Sequence, residues 1–220
     1  MSLRKEKKMK RFMMVLATIL SIVMSSTPAM AADASKILLI LRDPFPQYID
    51  TMLTKEVSVM KSMLENASFK VVVATTSGLP IKGSTVTLTP DLKLSDVKVD
   101  DYVAVIIACM GSGEYTPNSP IAVLIVKQAI TQGKPVAASH SSVNILAEAG
   151  VLAGKRYAFR IDAQLRNPSF TGAIYSGMGV VQDGNIITCG ICPQVSVDQG
   201  WTDCTAELTQ AFITTLTTKK

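Results

Sequence analysis

Three side chains able to do chemistry stand where their surroundings give them little ordinary reason to be. His140 is the only histidine among 220 residues. It lies between an apolar run, Pro135 to Ser139, and a helically patterned segment, Val143 to Ala149, closed by Gly150. Only Ser139 to Ser142 are left to turn the chain from strand to helix. A turn that tight drives its apex residue into a sparsely populated backbone conformation and aims the side chain outward, as in a nucleophile elbow. It also needs small neighbours, here Ala138 and Ser142. An imidazole at the apex can act as acid or base near neutral pH. Backbone N–H groups at the start of the next helix favour developing negative charge nearby. The bland reading is that histidine, which tolerates positive φ better than most residues, merely fits the apex.

Glu56 is the second such side chain. Ile49, Met52, Leu53, Met60, Met63 and Leu64 recur at helical spacing in a segment from about Gln47 to Asn66, and Glu56 falls on their stripe. A carboxylate there costs free energy unless it is bonded or its burial keeps it protonated. Otherwise the helix tilts so that Glu56 meets solvent, or pairs with Lys55 or Arg42. Cys109, the third, ends the apolar run Val103 to Cys109. With His140 as base and Glu56 as orienter it would form a nucleophilic set.

The other cysteines are 189, 192 and 204. Cys189-Gly-Ile-Cys192-Pro has the spacing of a thiol-redox motif, but Gln-Val-Ser-Val-Asp-Gln-Gly stands where a helix should directly follow. Cys204 falls on an apolar helical face, as a small buried side chain would. Four cysteines allow three full pairings. We expect a disulfide among Cys189, Cys192 and Cys204, with Cys109 reduced. A Cys109, His140 and Glu56 metal site is chemically allowed, and a thiol-redox or metal-binding protein stays one reading; we assign neither metal nor cofactor.

These groups need a scaffold that gathers the ends of separate elements. Lys36 to Leu41, Phe69 to Thr75, Val103 to Cys109 and Pro135 to Ser139 are short apolar runs suited to buried parallel strands. Helical patterns alternate with them, at Gln47 to Asn66, Ile121 to Thr131, Val143 to Ala149 and about Thr202 to Thr217. Residues 79–98 read as a hairpin or meander outside the main sheet. Tyr157 to Ile161, Gly179 to Gln182 and Asn185 to Cys189 are further short strands. The alternation predicts an α/β domain with a mainly parallel sheet. Ligands bind such sheets beyond the carboxyl ends of the strands, where Cys109, His140 and Cys189 all fall.

The frame Val-Ala-Ala, seven residues, then Leu-Ala-Glu-Ala-Gly-Val-Leu-x-Gly-Lys resembles the elbow of the ThiJ/PfpI superfamily of class I glutamine-amidotransferase-like proteins. The resemblance extends over roughly residues 36 to 217 and implies a three-layer, flavodoxin-like sandwich. It places His140 where the family has its cysteine nucleophile, and Ser141 where the family has histidine. It matches Glu56 to the glutamate that bonds the nucleophile, which implies a Glu56–His140 contact. It also sets Ala108-Cys109-Met110, with Gly111 next, at the family's oxyanion-hole amides, and Ser139 beside the pocket. Hydrolase, amidase, glyoxalase, other lyase-like or chaperone-like activity is implied, usually cysteine-dependent, and often a homodimer. With the nucleophile replaced, the readings are a pocket that binds or senses a small metabolite, or an enzyme using His140 with Glu56 and Cys109.

The chain opens with a basic stretch, a short apolar run from Phe12 to Met24, and Ala29-Met30-Ala31, which reads as a secretory leader over residues 1–31 ahead of a domain at 32–220. The apolar run is shorter than the roughly 20 residues of a membrane span. Six of the 22 Lys+Arg and one of the 17 Asp+Glu lie in the leader, leaving 16 against 16. The mature chain is therefore near neutral, which gives no electrostatic pull toward nucleic acid or an anionic membrane. We expect an exported, periplasmic or secreted protein with a small-molecule ligand, in a compartment that permits disulfides.

Overall fold

The computed structural model describes residues 35–112 and 116–218, so the expected leader lies outside the described residues. The strands of the main sheet are β1 (Lys36–Leu41), β2 (Lys70–Thr75), β3 (Leu92–Lys93), β4 (Ala104–Ala108), β5 (Val136–Ser139), β6 (Val180–Asp183) and β7 (Ile186–Cys189). Their order across the sheet is β6-β7-β5-β4-β1-β2-β3, and every pairing is parallel except β6 with β7. The helices are α1 (residues 49–66), α2 (Pro120–Thr131), α3 (Val143–Glu148), α4 (Ala163–Arg166), α5 (Pro193–Gln199) and α6 (Thr205–Thr217).

Strand periodicity sends alternate rows of the sheet to opposite faces. Val73, Leu39, Ile106, Ala137 and Ile187 lie side by side in register, and their row packs with Met52, Met60 and Leu64 of α1 and Leu208 and Phe212 of α6. The next row, Ala74, Ile40, Ile107 and Ala138, packs with Ile125, Val126 and Ala129 of α2 and Leu146 of α3. Both faces are covered, which is why the central strands are continuous apolar runs. The result is the expected three-layer sandwich.

Several elements differ from their sequence reading. Ile81–Lys82 and Thr87–Leu88 do form a separate hairpin, but Leu92–Lys93 joins the main sheet as its edge strand. Asp91 makes that addition work: its N–H donates to the Val73 carbonyl at 2.8 Å and its carboxylate accepts from the Val73 N–H at 2.8 Å. The first helical segment is not uniformly α: Leu53–Val57 is a π-helical turn between Ile49–Met52 and Ser58–Asn66. A helix does directly follow Cys192, framed by Pro193 at its start and Gly200, at φ 70°, past its end.

Candidate functional site

Register alone brings the first two groups together. Ile107 of β4 pairs with Ala138 of β5, and two residues further along each strand stand Cys109 and His140. His140 opens a 3₁₀ turn, His140–Ser142, between β5 and α3. Its φ of 42° confirms the strained apex expected from the short turn. The imidazole Nδ1 lies 3.6 Å from the Cys109 sulfur, and its ring meets Phe159 edge-on at 5.3 Å.

Glu56 sits in the π-helical turn and is wholly buried. One carboxyl oxygen accepts from the Cys109 N–H at 3.0 Å and the Ser139 hydroxyl at 2.7 Å; the other accepts from the Met110 N–H at 2.9 Å. A direct hydrogen bond to His140 is not among the bonds the Glu56 carboxyl makes. The successive N–H groups of Cys109 and Met110 converge on this one carboxyl group, with the chain turning away from it through Met110 and Gly111 at φ of 58° and 63°, and converging backbone amides suit an anion. Glu56 fills that place, so the Cys109 and Met110 amides expected to form an oxyanion hole already have an acceptor. Gly111 has no alternative residue here: a Cβ would come within 2.7 Å of the Tyr48 Cβ.

Burial, reinforced by the charge of Cys109, pushes the Glu56 carboxyl up to about 8, against the hydrogen bonds from Ser139, Met110 and Cys109. Infrared spectra of the protein should accordingly show the carbonyl stretch of a protonated carboxylic acid at pH 6, half lost near pH 8 and missing in Glu56→Gln. A wild-type spectrum without that band at pH 6 would refute the assignment.

The cysteines sort as expected, with one disulfide inside the 189–204 region and Cys109 left out of it. Cys189 and Cys204 form a disulfide, while Cys109 and Cys192 are free and buried. Cys204 is thus bonded at the start of α6 rather than an unattached side chain on its face. Cys192, the cysteine of that region left unbonded, lies with its sulfur within 4.8 Å of both the Cys109 sulfur and the His140 imidazole. Burial alone would raise the Cys109 thiol. Hydrogen bonds from Cys192, His140 and Ser141, with the charge of His140, outweigh it and hold Cys109 well below the usual thiol range. Cys192 moves the opposite way, raised by its hydrogen bond to Cys109 and by burial.

Ser141, at the position where the family resemblance puts histidine, is an interior relay. Its hydroxyl accepts from Arg42 Nη1 at 2.6 Å and lies 3.2 Å from the Cys109 sulfur and 2.9 Å from the Ser112 carbonyl, two acceptors between which its one proton can pass. Arg42 is buried and also donates to the Thr116 carbonyl at 3.0 Å. Desolvation lowers its pKa, opposed by the charges of Cys109, Glu148, Asp43 and Glu56. The sequence reading missed Arg42 and Cys192 as members of this cluster. A lone arginine at the end of an apolar strand was the available signal for the first.

Over this cluster opens a cavity of about 650 Å³, lined among others by His140, Arg160, Tyr175, Gln194 and Trp201. Of the three groups first singled out, only His140 reaches it. Cys109 and Glu56 have no solvent exposure.

Residues 36–204 match the model of the DJ-1/PfpI family. An uncharacterized protein of Methanocaldococcus jannaschii is 37% identical over 130 residues, covering 58% of this chain and 63% of that one. One of Archaeoglobus fulgidus is 39% identical over 100 residues, covering 45% and 58%. This chain thus spans about three fifths of the length of the curated relatives it matches. Among solved structures, a ThiJ/PfpI domain protein from Brachyspira murdochii shares the fold with a TM-score of 0.66 at 22% identity, over 84% of this chain and 98% of that one.

Proposed function

This chain belongs to the DJ-1/PfpI family, and we propose that within it the protein is an exported binder or sensor of a small polar metabolite, held in the cavity above His140. The observation that carries this reading is the division of the cluster by exposure. His140 faces a cavity of about 650 Å³, while Cys109 and Glu56 behind it have no exposure. A buried sulfur cannot attack a metabolite lodged in that cavity, and Glu56 occupies the amides that would stabilise an oxyanion. Cavities of this size, with apolar walls and a few convergent polar groups, suit small molecules. Export is supported by the Cys189–Cys204 disulfide, since such bonds persist in oxidising compartments.

The second reading is an enzyme in which His140 exchanges protons with substrate. The 3.6 Å approach of Cys109 to its Nδ1 favours this version, because a sulfur bonded to one ring nitrogen orients the imidazole and leaves the other nitrogen for substrate.

Trp201 is the only tryptophan and lines the cavity, so it reports on occupancy. A panel of small carboxylic acids, amides and aldehydes should yield compounds that change its fluorescence saturably. His140→Ala should weaken their binding at least about tenfold, equivalent to one good polar contact. Bound compounds recovered unchanged by NMR support the binding reading, and turnover lost in His140→Ala supports the enzyme. Saturable binding untouched by His140→Ala would sink both.

A further inference from the structure

We propose that Cys109, Cys192 and His140 form a binding site for a soft divalent or monovalent d¹⁰ metal ion, Zn²⁺ being the probe of choice. The inference is independent of the metabolite reading, since it concerns groups behind the cavity rather than its contents.

Three ligands reach one point from three different parts of the fold: Cys109 after β4, His140 after β5, and Cys192 at the start of α5. The two sulfurs and an imidazole nitrogen all lie within 4.8 Å of one another. Tetrahedral zinc takes thiolate at about 2.3 Å and imidazole at about 2.0–2.1 Å, which sets neighbouring S and N ligand atoms roughly 3.6 Å apart. The Cys109 sulfur and His140 Nδ1 are already 3.6 Å apart. Two thiolates and an imidazole are a soft donor set, preferred by Zn²⁺ and Cu⁺ over Mg²⁺ or Ca²⁺. Two anionic sulfurs also neutralise Zn²⁺, so the ion adds no net charge to the interior.

The surroundings suit a built site. The Cys189–Cys204 disulfide fixes both ends of the segment that carries Cys192 and leaves Cys109 and Cys192 as the two free thiols. Ser141, held by Arg42 and Ser112, touches the Cys109 sulfur and steers it, as outer partners do for metal ligands. Gln194 and Val195, just beyond Cys192, line the cavity together with His140, which gives an ion a way in. Three protein ligands leave one tetrahedral position for water or a small molecule. The sequence reading considered Glu56 as the third ligand, but its oxygens are committed to the Cys109 and Met110 amides and Ser139.

The test uses the full chain with the Cys189–Cys204 bond verified by peptide mapping and two free thiols verified by titration. Competition against a chromophoric chelator should give one Zn²⁺ per chain. Cys109→Ser and Cys192→Ser should each weaken it by at least about 100-fold, beyond the loss typical of an outer partner. Co²⁺ should give intense tetrahedral ligand-field bands with thiolate-to-cobalt charge transfer. Should the serine variants fail to fold, the wild-type Co²⁺ spectrum decides: octahedral bands without charge transfer overturn the site. So does Zn²⁺ binding unchanged in both variants, or a native Cys109–Cys192 disulfide.

Discussion

Glu56→Ala is expected to lower the unfolding free energy by about 3–5 kcal/mol, measured by urea denaturation at pH 5. The substitution strands three buried donors at once: the Cys109 and Met110 N–H groups and the Ser139 hydroxyl. Each unsatisfied buried donor costs about 1–3 kcal/mol, against a total stability on the order of 5–15 kcal/mol. Glu56→Gln should cost less. Its amide oxygen keeps two of the acceptances, while its nitrogen opposes the remaining donor. The effect also has a sign in pH. The folded carboxyl titrates at about 8, above the ordinary 4.5. Its contribution is therefore complete below the ordinary value and declines as pH rises through about 8. The penalty of Glu56→Ala should shrink accordingly between pH 5 and pH 9. A cost under about 1 kcal/mol at pH 5, less than one orphaned donor, would show that the amides find other partners.

The second large effect is expected on removing the cross-link. Cys189 and Cys204 are 15 residues apart, a loop whose closure is worth about 3 kcal/mol through the unfolded chain. The double variant Cys189→Ala/Cys204→Ala should lose about that much stability. The enclosed segment carries Cys192 together with Gln194, Val195, Gln199 and Trp201 of the cavity wall. Its amides should exchange faster with solvent and the emission of Trp201 should shift, while β1 and β4 stay protected. Equal stability of variant and parent, with exchange unchanged in residues 190–203, would show that α5 is held by its packing alone.

The architecture was legible because its signals are local and repeated. Lys36–Leu41 is apolar at every position but the first, and a strand covered on both faces admits little else. His140 announced itself by the shortness of the turn it occupies, and Glu56 by standing on an apolar stripe. What Glu56 does there was not legible. Its partners are backbone amides of Cys109 and Met110, and amides leave no trace in residue identity. Which of the three downstream cysteines stays free was not legible for a related reason. α5 is short and mostly polar, with no apolar periodicity, so only Pro193 and Gly200 at its ends marked it. Without that helix nothing separated Cys192 from the disulfide pair. Leu92–Lys93 was missed as an edge strand because two residues cannot display an alternation.

The π-helical turn at Leu53–Val57 sets the phase of everything before it. Each residue of an α-helix advances about 100° around the axis, and a π turn accommodates one residue more than an α turn would. The chain from Tyr48 to Met52 is thereby rotated by roughly that angle relative to the run that follows. Tyr48 reaches Gly111 in this setting, while Glu56 points at the amides on the near side of the same turn. One extra residue thus acts as a gear tooth, meshing two contacts on a single loop that a uniform helix would present to different neighbours. Slipping by that tooth would disengage tyrosine and glutamate together.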